Sequence, residues 1–252
     1  MNVDGRFLSP VVWVWADGEG WVSMRSQCDG GVWIVVPAYN EARVIADVVS
    51  ELKRDVHQIV VVDDGSSDAT AEIAAGCGAV VLRHPINLGQ GAALQTGIEF
   101  ALGSGAECIV TFDADGQHRT ADIDRLLDAL ETHRADFALG SRFLGSAVNM
   151  PTLRRMLLLT ATLFTRLTTG LALTDAHNGL RAMTRRGALR IRLRQNRMAH
   201  ASEILGQIAA SGLKFVEVPV TIEYSRYSLA KGQRSGDILV ILLDLFARRL
   251  HP

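Results

Sequence analysis

The chain has 252 residues, of which 48% are hydrophobic and 21% are charged, so it can bury a full core as one domain or as a domain with an appendage. Its 26 basic and 27 acidic residues give a net charge of −1, which provides no general argument for nucleic acid or an anionic membrane as a partner. No run of 18 apolar residues is present, which argues against a helix that spans a bilayer by itself.

The three cysteines, Cys28, Cys77 and Cys108, are odd in number and show no CxxC spacing. This pattern argues against a zinc site and favours a reducing compartment. We therefore expect no disulfide framework in the chain.

Residues 1–30 differ in composition from the rest of the chain. They hold three of the four tryptophans and a scatter of Gly, Asp and Ser that follows no period. We interpret them as an N-terminal extension, for which order and disorder are both open.

A regular alternation of strands and helices begins at residue 31. Continuous runs rich in Val and Ile predict strands at 32–37, 58–63, 79–82, 108–112 and 137–140. Apolar periodicity predicts helices at 41–53, 69–76, 90–102 and 121–131. Buried strands that alternate with helices predict an α/β fold with a mostly parallel sheet and helices on both faces.

The pattern changes after Gly140. We expect an amphipathic stretch at 151–168, a strand at 179–183, a helix at 200–211, a strand at 215–224, a polar loop at 225–236 and a helix at 237–250. Because Pro219 lies within the strand at 215–224, that strand should be at an edge or contain a bulge.

Polar residues and glycines follow the first four predicted strands. They are Asn40 and Glu41, then Asp63, Asp64 and Ser66, then Asn87, Gly89 and Gly91, and finally Asp113, Asp115 and Gln117. Because the carboxyl ends of parallel strands meet at one edge of a sheet, the four loops should open together where such sheets bind ligands.

The segment Asp113-Ala114-Asp115 carries the strongest chemical signal. Two adjacent carboxylates repel each other unless a cation or a proton lies between them, and their oxygens suit Mg²⁺ or Mn²⁺. Such an ion would stabilise a departing diphosphate. Asp64 and Glu41 could then recognise a base or a ribose, while the alternative is that all of these are ordinary turn acids.

The segment "GQGAAL" at 89–94 supports a rival hypothesis, a dinucleotide site. It fits the G-x-G-x-x-(small) pattern, and Asp113 follows at about the distance of a ribose-binding acid. Those glycines, however, should follow the first strand in a tight turn, whereas these belong to the third unit and come after Pro85. An NAD(P)-dependent oxidoreductase is therefore the weaker alternative.

The ordered blocks "VPAYNE", "VVDDGSSD", "NLGQGAALQTG", "TFDADGQH" and "GSRF" together resemble family 2 glycosyltransferases, and most of all the dolichyl- or polyprenyl-phosphate sugar synthase branch. The resemblance implies a GT-A fold over 31–236, in which a Rossmann-like sheet joins a C-terminal acceptor region, followed by an amphipathic helix over 237–252. It implies inverting transfer of a sugar from a nucleotide diphosphate to a polyprenyl phosphate, with Mg²⁺ or Mn²⁺, in the synthesis of cell-envelope glycans or glycoconjugates.

The resemblance also assigns residues to the donor. The nucleotide-sugar set is Pro37, Tyr39, Glu41, Asp64, Asn87, Gly91, Asp113, Ala114 and Asp115. The metal set is Asp113, Asp115 and Gln117, with Asp115 as the preferred direct ligand.

The loop at 224–237 combines cations with a hydroxyl group, which suits phosphate, although a solvated surface loop is an equal alternative. The resemblance assigns the acceptor phosphate to Arg142, Arg181, Arg226, Ser228 and Lys231. Asp175 and Arg181 could instead form a structural ion pair.

The need for a general base depends on the acceptor. A hydroxyl acceptor would require one, for which Glu203 and Asp175 are the candidates. A lipid phosphate, whose second pKa is about 6, already supplies an oxyanion at neutral pH. The predicted catalytic set is therefore Asp115, Arg142 and Lys231, with Glu203 for the hydroxyl alternative.

Two apolar stretches with interspersed arginines, 153–167 and 237–250, suit binding at a membrane surface, but also a core helix or a dimer face. We expect a peripheral protein at the cytoplasmic face of a membrane, with a nucleotide sugar and a polyprenyl phosphate as ligands and no nucleic acid. Recruitment by a separate membrane protein and formation of a homodimer are left open.

Overall fold

The computed structural model describes residues 12–16, 20–24, 28, 31–53, 58–196 and 199–224, the first two ranges by their backbone alone. The predicted loop at 225–236 and the predicted helix at 237–252 lie outside these residues. Among the described helices, none combines the length and the apolar character that crossing a bilayer requires.

Two sheets are present in the described part of the chain. A small antiparallel pair joins β1 (Val12–Ala16) and β2 (Gly20–Met24) within the predicted N-terminal extension. The seven strands of the large sheet are β3 (Val32–Ala38), β4 (Gln58–Asp63), β5 (Val80–Arg83), β6 (Cys108–Thr111), β7 (Phe137–Val148), β8 (Arg181–Thr184) and β9 (Phe215–Glu223).

The large sheet has the order β5-β4-β3-β6-β8-β7-β9. β8 runs antiparallel to both of its neighbours, and the other neighbouring pairs are parallel. The chain adds β4 and β5 on one side of β3 and then β6 on the other, so the loops after β3 and β6 diverge. That divergence is the topological switch point at which open α/β sheets bind ligands.

Helices cover both faces of the large sheet. They are α1 (Ile45–Leu52), α2 (Thr70–Gly76), α3 (Gln90–Gly103), α4 (Ala121–Thr132), α5 (Thr152–Thr169), α6 (Arg185–Ala188) and α7 (His200–Ser211). Alternate side chains of β3 point to opposite faces, where Ile34 joins the core under α1 and α4 and Val35 joins the core under α3 and α7. Gly97 allows α3 to pack closely, since a Cβ there would lie 2.3 Å from Val35 Cγ1.

The predicted α/β fold is confirmed, and most predicted elements lie within a few residues of their observed positions. α1 begins at Ile45 rather than at 41, because the carbonyl of Glu41 accepts hydrogen bonds from Val44 and Ile45 in a preceding turn. Pro219 lies in β9, which is both an edge strand and irregular in its pairing, as predicted. β8 was predicted as a strand, but its reversed direction was not.

The cysteine count argued against a disulfide framework, but one disulfide is present. The structure joins Cys28 to Cys108 by a disulfide whose Cα atoms are 5.2 Å apart, and leaves Cys77 free. The two partners are 80 residues apart in the chain, and they meet because Cys28 closely precedes β3 while Cys108 opens the neighbouring strand β6. Sequence spacing alone cannot reveal a pair that the sheet brings together.

Candidate functional site

A cavity of about 720 Å³ lies at the carboxyl edge of the sheet, beside the switch point. The loops after β3, β4, β5 and β6 meet there, as their parallel direction predicts. The cavity is lined by Pro37, Ala38, Tyr39, Glu41, Asp64, Asn87, Gly89, Gln90, Asp113, Ala114, Asp115, Gln117 and His118 on the side of these loops. It is lined by Arg142, Arg154, Leu158, Ala161, His177, Asn178, Gly179, Arg181, His200, Ala201 and Ile222 on the other.

Asp64 fixes the loop that carries Asn87. Its carboxylate accepts hydrogen bonds from the backbone N–H groups of Leu88 (2.9 Å) and Gly89 (2.7 Å), and His84 Nδ1 lies 2.8 Å from Oδ1. Asp64 is therefore a wall residue of the cavity whose oxygens already have partners. It positions the third loop, whatever further contact it makes with a base.

The first and second loops are also joined to each other. The backbone N–H of Glu41 donates to Thr70 Oγ1 at 2.8 Å, and that of Asn40 donates to Ser66 Oγ at 2.8 Å. Asn40 has a φ of 53°, in the left-handed region that Asn tolerates better than most residues. These contacts hold Glu41, which is buried, at the wall of the cavity.

Asp113 is oriented by two side chains. Gln90 Nε2 donates to Oδ1 at 2.9 Å, and His118 Nε2 shares a hydrogen bond with Oδ2 at 3.2 Å. Burial would raise the pKa of Asp113, but His118, Arg181 and His200 together outweigh burial, so the pKa lies below its ordinary value. The carboxylate is thus ionised at neutral pH.

Gly179 makes room for Asp113. A Cβ at position 179 would lie 2.0 Å from Asp113 Oδ2, and the carbonyl of Gly179 accepts a hydrogen bond from Thr111 Oγ1 at 2.7 Å. A side chain at this position would therefore displace Asp113 from its observed position.

Asp115 is bound at both oxygens by one residue. The backbone N–H of Gln117 donates to Oδ1 at 3.1 Å, and its side-chain Nε2 donates to Oδ2 at 2.6 Å. Burial and the nearby charges of Asp113 and Glu41 raise the pKa of Asp115 to about 6. Negative charge is therefore in excess at this point of the cavity.

The residues present fit a divalent cation of the Mg²⁺ or Mn²⁺ type. Within the described ranges no group of three or more His, Cys, Asp or Glu side chains could hold a metal ion, so these residues supply no closed metal cage. Mg²⁺ characteristically takes one or two carboxylates and completes its shell with water and substrate phosphates. Asp115, with Asp113 and Gln117 beside it, offers that incomplete set together with the unbalanced charge.

Arg142 is the centre of a buried network on the other side of the cavity. Its Nε donates to Asp175 Oδ2 at 2.6 Å, Nη1 donates to Tyr224 Oη at 2.6 Å, and Nη2 donates to the carbonyl of His177 at 2.8 Å. Burial would lower the pKa of Arg142, but Asp175 and Tyr224 raise it above its ordinary value. The predicted phosphate ligand is thus already engaged by three residues of the chain.

Glu217 supports this network from β9. Its carboxylate accepts hydrogen bonds from the backbone N–H of Thr174 (2.9 Å to each oxygen), from Thr174 Oγ1 (3.0 Å) and from the backbone N–H of Asp175 (3.1 Å). It therefore fixes the loop that presents Asp175 to Arg142.

Two further arginines line the cavity and make fewer hydrogen bonds than Arg142 within the described residues. Arg181 is buried, and no hydrogen bond from its guanidinium is found within the described ranges. Burial lowers the pKa of Arg181 to about 10, against the opposing charges of Asp113 and Asp175, so it remains a cation at neutral pH. Arg154 lies over the ring of Tyr224 at 4.9 Å, and its Nε has no hydrogen-bond partner among the described residues.

Two predicted site residues do not reach the cavity. Gly91 packs against the segment that precedes α7, where a Cβ would lie 2.1 Å from the carbonyl oxygen of Gln195. Its N–H donates to the carbonyl of Asn196 at 2.8 Å, and Gly91 is not among the residues that line the cavity. Glu203 accepts hydrogen bonds from the backbone N–H groups of Arg194 and Gln195 and is not among the residues that line the cavity.

The remaining predicted residues divide into two groups. Those that line the cavity are Pro37, Tyr39, Glu41, Asp64, Asn87, Asp113, Ala114, Asp115, Gln117, Arg142 and Arg181. Arg226, Ser228 and Lys231 lie outside the described residues. The dinucleotide alternative is not supported, because its glycines follow β5 at the edge of the sheet and not β3 at the switch point.

Sequence reasoning missed several residues of the site. They are Gln90, Arg154, Asn178 and Gly179, together with His118 as the partner of Asp113. His118 lies beside the D-x-D segment in sequence, which was a usable signal. Arg154 lies on α5, and Gly179 lies just before β8. Both residues approach the cavity because of how these two elements pack, which no local sequence pattern indicates.

Comparison with known proteins points to one family. Residues 33–191 match the family described as Glycosyl transferase family 2. The chain is 32% identical over 224 residues to the UDP-N-acetylglucosamine–dolichyl-phosphate N-acetylglucosaminyltransferase of Methanococcus voltae, covering 80% of this chain and 89% of that protein. It is 32% identical over 218 residues to the undecaprenyl-phosphate mannosyltransferase of Micrococcus luteus, covering 81% and 88%.

Solved structures show the same fold. The crystal structure of glucosyl-3-phosphoglycerate synthase from Mycobacterium tuberculosis with Mn²⁺, UDP-glucose and phosphoglyceric acid aligns with a TM-score of 0.63. The alignment has 18% identity and covers 85% of this chain and 79% of that one. At this identity the likeness establishes the GT-A fold, and the chemistry must be argued from the residues of the cavity.

Proposed function

The chain belongs to glycosyl transferase family 2, a nucleotide-sugar glycosyltransferase family, and on that premise we propose that it transfers a sugar, with inversion, to a polyprenyl phosphate. The observation that carries the proposal is that one cavity is lined by both carboxylates and guanidinium groups. We call Asp113 and Asp115 the acidic side and Arg142, Arg154 and Arg181 the cationic side, and Arg181 is near enough to Asp113 for the two charges to interact.

The acidic side suits the donor. We assign the pyrophosphate to the switch point, with Asp115 as the preferred ligand of Mg²⁺ or Mn²⁺ and with Asp113 and Gln117 beside it. The ion, when bound, would offset the negative charge of the departing nucleoside diphosphate. Pro37, Tyr39, Glu41, Asp64 and Asn87 then enclose the nucleoside, and the loops are held in place by backbone N–H groups that donate to Asp64 and Thr70.

The cationic side suits an acceptor that carries its own negative charge. A phosphate monoester is largely ionised at neutral pH and needs orientation more than deprotonation. Arg181 and Arg154 would hold it by charge-assisted hydrogen bonds. One phosphate oxygen attacks the anomeric carbon as the bond from that carbon to the diphosphate oxygen breaks on the opposite face, so the configuration inverts.

Within the described part of the chain, neither predicted base for the hydroxyl-acceptor alternative is placed to act in the cavity. Glu203 is held by two backbone N–H groups outside the cavity, and Asp175 is paired with Arg142 at 2.6 Å. The two relatives compared above are named for dolichyl-phosphate and undecaprenyl-phosphate acceptors, which favours the lipid phosphate.

The proposed acceptor sets the location. A polyprenyl phosphate is confined to a bilayer by its hydrocarbon chain, so the enzyme must act at the membrane surface. We propose a peripheral protein at the cytoplasmic face. The membrane-protein partner and the homodimer remain predictions.

A transfer assay tests the function. The full chain is incubated with labelled UDP-, GDP- and dTDP-sugars and Mn²⁺, together with undecaprenyl phosphate, with undecaprenol or with no lipid. We expect a labelled lipid product with the phosphate and one class of donor, and its anomeric configuration, read by NMR, should be opposite to that of the donor. Labelling of the alcohol alone would show that the acceptor is a hydroxyl group and not a phosphate. Release of free sugar alone would refute the proposed transfer.

A further inference from the structure

The outer face of α5 exposes a row of large apolar side chains. Leu153, Met156, Leu159, Leu163 and Leu167 are each between 45% and 75% exposed. Their spacing of three or four residues places them on one side of the helix, along a length of about 21 Å. We call these five residues the α5 stripe.

The opposite face of α5 is buried and forms part of the cavity wall. Leu158 and Ala161 line the cavity, and Thr165 is buried behind them. α5 is therefore not a core helix with apolar residues all round. Its inner face lines the cavity, and its outer face, the α5 stripe, is not covered by the residues that the structure describes.

All of the charged residues of α5 are basic. The helix contains Arg154, Arg155 and Arg166 and no acidic residue, although the chain as a whole carries a net charge of −1. Arg155 and Arg166 are exposed and lie along one edge of the α5 stripe. Apolar side chains bordered by arginines suit the interface of a bilayer with anionic head groups.

We propose that the α5 stripe is the surface by which this protein docks on a lipid bilayer. The proposal rests on the proposed function, because a lipid-linked phosphate must pass from the bilayer to Arg154 on the inner face of the same helix. Docking on α5 would place the wall of the cavity against the lipid surface. One helical face is small beside the about 800 Å² that each partner of a stable dimer buries, which makes a second copy the weaker occupant.

Vesicle flotation tests the proposal without any acceptor lipid. The wild-type chain, a Met156→Glu/Leu163→Glu variant and a Leu189→Glu control are mixed with vesicles of phosphatidylcholine and phosphatidylglycerol. Leu189 is also exposed, but it lies beyond α6, outside the α5 stripe. We expect the stripe variant to lose vesicle binding by about tenfold or more, since two large apolar side chains no longer enter the interface, and the control to bind like wild type.

The arginines give a second, graded result. Arg155→Gln and Arg166→Gln should each weaken binding to the anionic vesicles by about fivefold and have little effect on vesicles of phosphatidylcholine alone. Equal losses on both kinds of vesicle would contradict the assigned role of these charges.

A water-soluble short-chain prenyl phosphate separates this proposal from the proposed function. The stripe variant should transfer sugar to that acceptor at the wild-type rate, because neither substituted residue lines the cavity. If the wild type transfers sugar to neither acceptor but floats in a stripe-dependent manner, the function fails and the docking surface stands.

Three outcomes would overturn the docking surface. One is a stripe variant that floats like wild type. Another is a variant that changes from dimer to monomer while its flotation is unchanged, which would assign the α5 stripe to a second copy. The third is a melting temperature that falls by several degrees without lipid, which would mean that another part of the chain, such as residues 237–250, covers the α5 stripe.

Discussion

The acidic side of the cavity and its cationic side are built in different ways. On the acidic side, each functional loop continues directly from a parallel strand, and the sheet itself brings the four loops together. On the cationic side, Arg142, Asp175, Tyr224 and Arg154 come from four separate parts of the chain and meet through long-range side-chain contacts.

The two sides are held in place by different interactions. The acidic side follows from the register of the sheet, which a large apolar core maintains. The cationic side depends on buried charges, whose removal from water is costly unless every partner is in place. Substitutions on the acidic side should therefore remove chemistry and leave the fold, whereas those on the cationic side should alter the positions of acceptor-binding groups.

The largest effect is expected from Asp115→Asn. This change removes a carboxylate from the proposed pyrophosphate site, and transfer should fall by about 10² to 10³, the size reported for loss of one group that stabilises developing charge. Steady-state transfer measures the loss. The melting temperature without ligand should be unchanged or higher, because burial and Asp113 disfavour the charge that is removed. A variant with wild-type turnover would contradict the assignment.

Gly179→Ala tests the space beside Asp113. The new Cβ would meet Oδ2 at 2.0 Å, so Asp113 must move, and a misplacement of about 1 Å at a reacting site can cost about 10² in rate. Gly206→Ala is the matched control, since its Cβ meets nothing within 4 Å in the middle of α7 and should stabilise the chain slightly. Equal activity of the two variants would show that the position of Asp113 is not critical.

Arg181→Gln tests the cationic side. Loss of this buried charge should raise the KM for the acceptor phosphate, or lower kcat/KM, by about 10- to 100-fold, the value of hydrogen bonds to a charged group. Arg181→Lys should restore part of the loss. The increase in melting temperature caused by the donor nucleotide should be largely retained. A variant that loses donor binding instead would assign Arg181 to the donor and not to the acceptor.

Glu217→Gln is expected to have the smallest effect. The neutral side chain should accept weaker hydrogen bonds from the N–H groups of Thr174 and Asp175, which loosens Asp175 and, through it, Arg142. The KM for the acceptor should rise about fivefold, corresponding to about 1 kcal/mol, while the KM for the donor stays constant.

Glu223→Gln serves as the control on the same strand. Glu223 pairs with Arg119 at the surface, where such pairs contribute little. A purely structural role of Glu217 would instead lower the melting temperature and leave both KM values unchanged.

The acidic side could be predicted because its signals are local. Val-rich runs such as 32–37 and 58–63 fix strands, the alternation with helices fixes their parallel direction, and each polar loop then follows at a known edge. The D-x-D segment needs no tertiary information to be recognised. The glycine at 91 indicated that another group approaches closely, but the sequence does not reveal that this neighbour is the backbone at 195.

The cationic side could be predicted only in part. Arg142 and Arg181 belong to recognisable blocks, yet the sequence did not indicate that Arg142 would bind Asp175, Tyr224 and a backbone carbonyl at once. Arg154 lies on a helix whose inner face is set by packing against the rest of the chain. The reversal of β8 and the disulfide of Cys28 and Cys108 likewise depend on which strands become neighbours.

The central claim is that the carboxylates at 113 and 115 face a donor pyrophosphate together with a divalent ion. Thermal melting of the wild type and of Asp115→Asn with UDP, GDP, dTDP, CDP and NAD, each with Mn²⁺ and with EDTA, tests it most directly. We expect one nucleoside diphosphate to raise the melting temperature of the wild type with Mn²⁺, and this shift to vanish with EDTA and in the variant. Stabilisation by NAD alone, or by a diphosphate regardless of EDTA and of residue 115, would contradict the claim.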